Sequence, residues 1–547
     1  MSRLPAIFAD GRRLQIGVVA ASAVLQGAAA ATVAFATRDV FATLRLVEGA
    51  GAGTANLALP VDDIATILAG GTALAGMRLL ERVMAERIGQ SYASAVREKL
   101  FLHLSRTPAH VMASHRVGTL SLRFVGDLTA IKGWISSGLA RIISAGITIP
   151  ASILILFALD PVFGLAAIPP FAIALFLIGF FSRPLEEAHA RLRKQRNRMA
   201  ADIAERLPQS AALRRIGRLK QERMKLSDHS RQIAEAAVRR ALTSGLLRAI
   251  PDLSAAVASV LFLTLAWHFR LSTADTAASL TVLAMIVRPM RQLAAVWDRR
   301  QAWTVAASHL DTVLSTRRLP QGNTREEPAE TEESGIALEF RDVQVATGER
   351  LTGTVAAGEW VRLARPREAG NDSLLLVSAG LDFPEEGDVA VFGQSPWSIP
   401  AGQVLYLGPS SPVLKGSLRR NAALGAGKTP TDDTILAALQ KAGLHSLVER
   451  LGGLDGRINE SARNLSGYEL AQLLCARALL VRPRLLLADA DEIGLTPESI
   501  RMLHDELEPL GCSALIASRS NEADDIFRRT LTSEGHDMPE APIRAVS

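Results

Sequence analysis

The feature that most constrains this chain is a series of uncharged runs in its first 300 residues, each too apolar to be left in water. Leu14–Thr37 comes first, then Ile64–Met77, Ile142–Leu159, Pro161–Ser182, Leu253–Phe269 and Thr276–Val287. A bilayer takes about 20 apolar residues to cross as a helix, so the first and fourth suffice alone and the third and fifth nearly do. The second and sixth fall short and must borrow flanking turns, with Arg78 or Arg288 snorkelling or facing a bundle interior. Hydropathy alone therefore supplies four spans and leaves two open. Arg3, Arg12 and Arg13 precede the first run in the manner of a signal peptide. Its 24 uncharged residues exceed a signal core, however, and it is expected to be a retained span. Only Asp160 separates the third run from the fourth, which predicts a very tight turn.

Charge sets the orientation. Segment 183–248 carries 17 Lys or Arg against 7 acids, whereas 38–63 has two Arg and four acids, so the former is expected in the cytoplasm and the latter outside. Segment 183–248 is too long for a simple connection and has few breakers beyond Pro184 and Pro208. It is read as two long helices reaching from the membrane into the cytoplasm, and 88–133 is read likewise. The net charge of +6 does not indicate nucleic acid, because the basic residues lie between apolar runs and not in an aromatic-studded patch. Residues 1–315 are read as the transmembrane domain, with membrane lipids expected around its spans. Asp252, His268, Arg141 and Arg288, near span ends, are expected to snorkel and not to line a pathway. Residues 316–335 form a polar, acidic linker. From 336 to 534 short Val/Leu strands alternate with helical segments, as in an α/β domain, and 535–547 read as a tail. Cys475 and Cys512, the two cysteines, have no metal-ligand spacing and are expected to be buried thiols.

The second domain carries motifs of higher specificity. Asn464-Leu465-Ser466-Gly467-Tyr468-Glu469 precedes Ala476-Arg477-Ala478-Leu479-Leu480 and then an apolar strand, Leu485–Ala488, ending at Asp489. This arrangement resembles the signature and Walker B strand of ATP-binding cassette proteins. Gly358-Glu359, Ala379-Gly380-Leu381, Gly387 and Gly393 resemble the frame around that family's Walker A loop. Gly416-Ser417-Leu418-Arg419 with Asn421 resembles the segment after its Q-loop. In the apolar half, Gly118-Thr119-Leu120-Ser121-Leu122-Arg123 with Asp127, and Pro289 in the last span, resemble type I exporters. The resemblance covers nearly the whole chain. It implies six spans with long intracellular helices, an α-helical transmembrane bundle followed by a P-loop-NTPase-like α/β domain, and a multi-pass protein of the plasma (inner) membrane with its nucleotide domain in the cytoplasm.

The resemblance also implies ATP and Mg²⁺ as cofactors, yet the residues that would hold them are altered. A Walker A loop needs glycines to cradle phosphates, a Lys for the β/γ-phosphates and a Ser/Thr for Mg²⁺. Counted back from Ala379, the corresponding stretch is 365–373. Arg365 and Glu368 stand at glycine positions, Gly370 remains, Asn371 replaces the Lys, Asp372 replaces the metal-binding hydroxyl, and Ser373 follows. Two like charges 4 Å apart repel by about 4 kcal/mol at an effective dielectric of ~20, so Glu368 and Asp372 oppose a polyphosphate. Asp489 retains the family's Mg²⁺ position, but its catalytic Glu is Ala490, its Q-loop glutamine is Pro409 and its switch histidine is Arg519. Asp491 and Glu492 are expected to point elsewhere. No aromatic residue in 343–350 is available to stack adenine. Gly425-Ala426-Gly427-Lys428-Thr429 mimics the end of a phosphate loop, but it follows no strand and precedes Pro430.

Independent hydrolysis is not expected. Ser466 and Gly467 open a predicted helix and would meet a γ-phosphate held by a partner's Walker A loop. Glu469 is expected on the helix surface, and Tyr468 is expected to crowd the phosphate. Three readings stay open: one half of a heterodimeric exporter with a catalytically competent partner, a non-hydrolytic scaffold or regulator, and a homodimer that binds nucleotide weakly.

Overall fold

The computed structural model describes residues 3–9, 11–49, 60–114, 123–320, 335–345, 350–364 and 373–532. The chain forms two compact units, Met1–Phe101 with Val117–Ser315 and Leu102–Arg116 with Thr316–Ser547.

The helices of the first half are α1 (Arg12–Gly49), α2 (Val61–Leu104), α3 (Ala109–Ser114), α4 (Leu128–Trp134), α5 (Ala140–Leu159) and α6 (Pro161–Phe180). They continue as α7 (Ser182–Arg206), α8 (Ser210–Arg215), α9 (Leu219–Phe269), α10 (Thr273–Ala294) and α11 (Val296–Leu314). Six helices are long and apolar enough to cross a membrane: Arg12–Arg45, Val61–Leu104, Phe124–Leu159, Pro161–Arg206, Leu219–Phe269 and Thr273–Leu314. The two runs that hydropathy left short are thereby completed, because α2 and α10 continue unbroken through Arg78 and Arg288. The predicted tight turn is a single residue. Asp160 leaves the helical region, its Oδ1 accepts the Val162 N–H at 2.8 Å, and Pro161 supplies a first helical residue needing no hydrogen-bond partner.

Segment 183–248 is helical, as expected. Pro184 is tolerated in the first turn of α7, where no intrahelical donor is required, while Pro208 and Gly217 (φ +76°) bound the short α8. In the bundle α5 packs against α1, α6 and α10, and α6 lies along α9. Ala34, Ala167, Ala258 and Ala278 are fully buried, which lets these helices approach closely. The Phe163 and Phe262 rings meet at 5.0 Å. Leu154, Leu165, Phe176, Val260 and Trp267 face outward, the surface a lipid environment requires.

One expectation is corrected. Arg141 and Arg288 line a polar, partly open cavity among these helices together with Arg78. The cavity wall also carries Gln26, Glu81 and Ser144, whose hydrogen bonds make a polar interior able to solvate guanidinium groups. Asp252 accepts from Arg291 Nε at 2.6 Å, and His268 lies exposed beside Phe269.

In the second unit β1 (Ile336–Gln344), β2 (Arg350–Ala356) and β4 (Glu386–Val391) form an antiparallel sheet in the order β2-β1-β4. A parallel sheet has the order β10-β3-β9-β8-β5, with β3 (Trp360–Ala364), β5 (Val404–Leu407), β8 (Leu485–Asp489), β9 (Ser513–Ala517) and β10 (Arg529–Thr532). A short pair joins β6 (Gly416–Ser417) to β7 (Arg457–Ile458). Every residue of β8 and β9 is buried, which explains why they read as continuous small and apolar runs. Around them lie α12 (Ser373–Ser378), α13 (Leu418–Ala422), α14 (Asp432–Lys441), α15 (His445–Leu451), α16 (Gly467–Val481), α17 (Ala490–Ile493) and α18 (Pro497–Leu507). Trp360 is buried in this core, its Nε1 donating to the Cys512 carbonyl at 3.0 Å. At Gly387 (φ +76°) a Cβ would stand 2.2 Å from the Asp342 carbonyl oxygen, so no other residue fits the turn into β4.

Helix α3 belongs to this unit and not to the bundle. Asp382, 4% exposed, accepts from the His110 N–H at 3.2 Å and lies 2.7 Å from His110 Nδ1. The Ala109 N–H donates to the Leu381 carbonyl, and Arg106 and Leu319 exchange backbone and side-chain hydrogen bonds.

Candidate nucleotide site

Parallel strands present their carboxyl ends at one edge, where ligands of open α/β sheets bind. Here the pairing Leu363↔Ala517, Asp489↔Ala517 and Leu407↔Ala488 puts the ends of β3, β9, β8 and β5 at one edge. Asp489, Ala490, Arg519 and Pro409 therefore gather within one loop cluster.

Asp489 is fully buried at the end of β8 and caps the following turn, its Oδ1 accepting the Glu492 N–H at 3.2 Å. Ala490, 2% exposed, opens α17. Asp491 turns toward β9: its Oδ2 accepts the Arg519 backbone N–H at 2.9 Å and Arg519 Nε at 3.1 Å. The side chain at the switch position is thus clasped by the carboxylate two residues after Asp489. Glu492 is exposed. Pro409 is exposed in the turn after β5, beside Gly408, whose N–H donates to Ser411 Oγ at 3.0 Å. Among the described residues no group of three or more His, Cys, Asp or Glu side chains could hold a metal ion. Asp489 alone fits a Mg²⁺ held by one carboxylate and phosphates.

The readings at Arg365, Glu368, Gly370, Asn371 and Asp372 lie outside the described residues, as do the Ser373 side chain, Gly118–Leu122, 346–349 and the 535–547 tail. Ser373 opens α12.

The signature segment is a capping box. Ser466 caps α16 by accepting the Glu469 N–H at 3.2 Å, while Glu469 Oε2 accepts the Ser466 N–H at 2.7 Å and lies 3.0 Å from Ser466 Oγ. Glu469 lies at the helix surface as expected but does not project outward: it bends back over the helix start and pairs with Arg450 Nη2 at 2.6 Å. Burial raises its pKa, but the bonds from Ser466 and Arg450 outweigh burial and hold the carboxyl below its ordinary range. Gly467 and Ser466 are exposed, and Tyr468 is 53% exposed with its hydroxyl beside the Gly443 turn.

The remaining motif residues serve the scaffold. Asn421, fully buried, bonds both backbone groups of Leu414, and its own carbonyl accepts from Arg477 at 2.9 Å. Burial lowers the Arg477 pKa to about 10 and raises the Cys475 and Cys512 thiols to about 12. Gly425–Thr429 lies between α13 and α14, after a helix and not a strand, so its resemblance to a phosphate loop is only in sequence.

Comparison with known proteins agrees with this architecture. Residues 61–290 match the family model described as the ABC transporter transmembrane region. An "ATP-dependent lipid A-core flippase" from Albidiferax ferrireducens is 21% identical over 436 residues, 77% of this chain and 75% of that protein. A Burkholderia thailandensis protein of the same description is 25% identical over 337 residues, 58% of this chain and 56% of that protein. The solved "Structure of a bacterial Atm1-family ABC exporter with ATP bound" superposes with a TM-score of 0.78 at 19% identity, covering 96% of this chain and 94% of that one. Residues 61–290 thus belong to the ABC transporter transmembrane region family, and the whole chain, with its six apolar helices and its α/β domain, has the fold of an ATP-binding cassette exporter.

Proposed function

We propose that this chain is the non-hydrolytic subunit of a heterodimeric exporter, coupling ATP binding and hydrolysis at a catalytically competent partner's site to movement of a cargo across the membrane. The observation that carries it is the edge after β8: Ala490 brings a methyl group where a base is needed, and Asp491 is engaged by Arg519. Asn371, Asp372 and Pro409 add to this from the sequence. ATP and Mg²⁺ supply the driving chemistry through phosphoryl transfer. Asp489 is the residue of this chain that would hold Mg²⁺, and Ser466 with Gly467 would present a hydroxyl and an N–H to a nucleotide carried by the partner.

The test is to co-purify the chain with an intact cassette half and compare ATPase activity and transport with the chain alone. Activity is expected only in the pair and is expected to fall on Ser466→Arg. Hydrolysis by the chain alone would sink the proposal. A scaffold or regulator is the second reading, favoured by Glu469 occupying the Ser466 groups, and it predicts a pair indifferent to Ser466→Arg. A homodimer binding nucleotide weakly is the third, and micromolar ATP affinity of the isolated chain would support it.

A further inference from the structure

The second unit contains a cavity of about 350 Å³, a size that suits a small ligand, bordered by the start of α3, the end of β1 and the turn after α12. Its lining is proline, valine and phenylalanine apart from four ionisable side chains, His110, Arg317, Asp382 and Glu385. Two of these four are spent on each other. The two carboxylate oxygens of Asp382, a residue 4% exposed, lie 2.7 and 2.8 Å from His110 Nδ1, and one of them also accepts the Phe383 N–H at 2.7 Å. The other two are not. Neither the Arg317 nor the Glu385 side chain has a hydrogen bond or ion pair with a described residue, and they do not pair with each other.

Packing sets both charges in place. The Arg317 guanidinium lies over the Phe383 ring at 3.9 Å, and Phe383 leans in turn on Trp397 at 5.3 Å. Stacking on a ring leaves the edge of a guanidinium, with its N–H groups, open to an acceptor. It also removes side-chain freedom in advance, so a ligand carboxylate meets a fork already oriented for two parallel hydrogen bonds. Glu385 follows Phe383 by two residues, and its N–H donates to the Gln344 carbonyl at 2.8 Å, which ties its backbone to the end of β1. An anion alone would meet Glu385 and a cation alone would meet Arg317. A molecule that bears both charges satisfies both. Val111, Val345 and Val377 supply the apolar part of the wall.

We propose that this cavity is an effector site for a small zwitterion, an α-amino acid with an apolar side chain. Its carboxylate sits on Arg317, its ammonium on Glu385 and its side chain against the valines. Pro108, His110 and Val111 border the same space as the turn after α12, so an occupant ties α3 to the cassette domain. The site shares no residue with the Asp489 edge and does not depend on the exporter reading.

The test uses the full purified chain in detergent, without nucleotide or partner. Isothermal titration calorimetry compares L-leucine with 4-methylpentanoate, which lacks the ammonium, with 3-methylbutylamine, which lacks the carboxylate, and with glycine, which lacks the apolar side chain. Leucine is expected to bind at least tenfold more tightly than any of the three. It should also slow hydrogen exchange of the Ala109 N–H, which donates to the Leu381 carbonyl. Arg317→Gln should reduce leucine to the affinity of the amine, and Glu385→Gln should reduce it to that of the carboxylate. Both side chains are exposed, so these variants should keep the thermal transition of the wild type, which is measured alongside. No heat of binding with leucine, an analogue that binds as tightly as leucine, or a leucine affinity unmoved by both substitutions would overturn the proposal.

Discussion

Replacing Ala490 by Glu supplies the residue that the cassette resemblance implies after Asp489, so it separates a lost residue from a rebuilt site. Position 490 is 2% exposed and follows the fully buried Asp489. Arg519, a cation at this edge, is held by Asp491. A new carboxylate there loses its hydration and faces Asp489; at roughly 6 Å and an effective dielectric of ~20 the repulsion alone is about 3 kcal/mol. For a domain of about 200 residues each kcal/mol moves the melting temperature by about 2–4 °C, so Ala490→Glu should lower the cassette transition by about 6–12 °C. Adding Asp491→Ala releases Arg519 to the new carboxylate and should recover roughly half of that loss. Differential scanning calorimetry of the detergent-purified chain reads the transition, and phosphate release reads activity. Robust hydrolysis by Ala490→Glu alone, with an unshifted transition, would refute the view that the edge has been rebuilt around the Asp491–Arg519 clasp.

Glu469→Gln removes a negative charge from the start of α16 while keeping the cap, and should raise ATP affinity several-fold in the complex with a competent partner, read by nucleotide titration. Asp382→Ala strips acceptors from the His110 and Phe383 N–H groups and should destabilise the second unit by about 2–4 kcal/mol, seen in its thermal transition. The buried thiols set an alkaline limit. Unfolded Cys475 and Cys512 ionise near 9.0 but the folded thiols only near about 12, so their contribution is complete below pH 9 and is lost as pH rises towards 12. At ~1.4 kcal/mol per thiol per pH unit, the wild type should lose about 3 kcal/mol more than Cys475→Ala/Cys512→Ala between pH 8 and pH 10, measured by chemical denaturation. Gly387→Ala should unfold the turn into β4, because its Cβ would collide with the Asp342 carbonyl at 2.2 Å; limited proteolysis of the second unit reads this.

What was legible in the sequence is what period, length and punctuation encode. Uncharged runs gave the spans, Asp160-Pro161 gave the turn, and the run into Asp489 gave the strand that carries the site. The Asp491–Arg519 clasp was hidden because the two residues lie 28 apart in sequence and meet only through the parallel pairing of β8 with β9. The arginine cavity was hidden for a related reason: hydropathy counts a charge but not the side of the helix from which it projects. Glu469 was different. Ser466 and Glu469 already stand in the Ser-x-x-Glu spacing of a capping box, and that spacing alone called for a carboxylate bent over the helix start. The grouping of α3 with the cassette depended on Asp382, a residue more than 270 positions away from His110.

The one-residue turn at Asp160 has a consequence for motion. Of the three outer connections, α5 to α6 has one residue and α9 to α10 has three, Arg270–Ser272, whereas α1 and α2 are joined by eleven, 50–60. A helix pair tied by one residue, with both ends capped, has no slack and must move as a single rod. If the outer side of the bundle opens, the parting does not fall between α5 and α6. A tether across Asp160 should therefore change nothing.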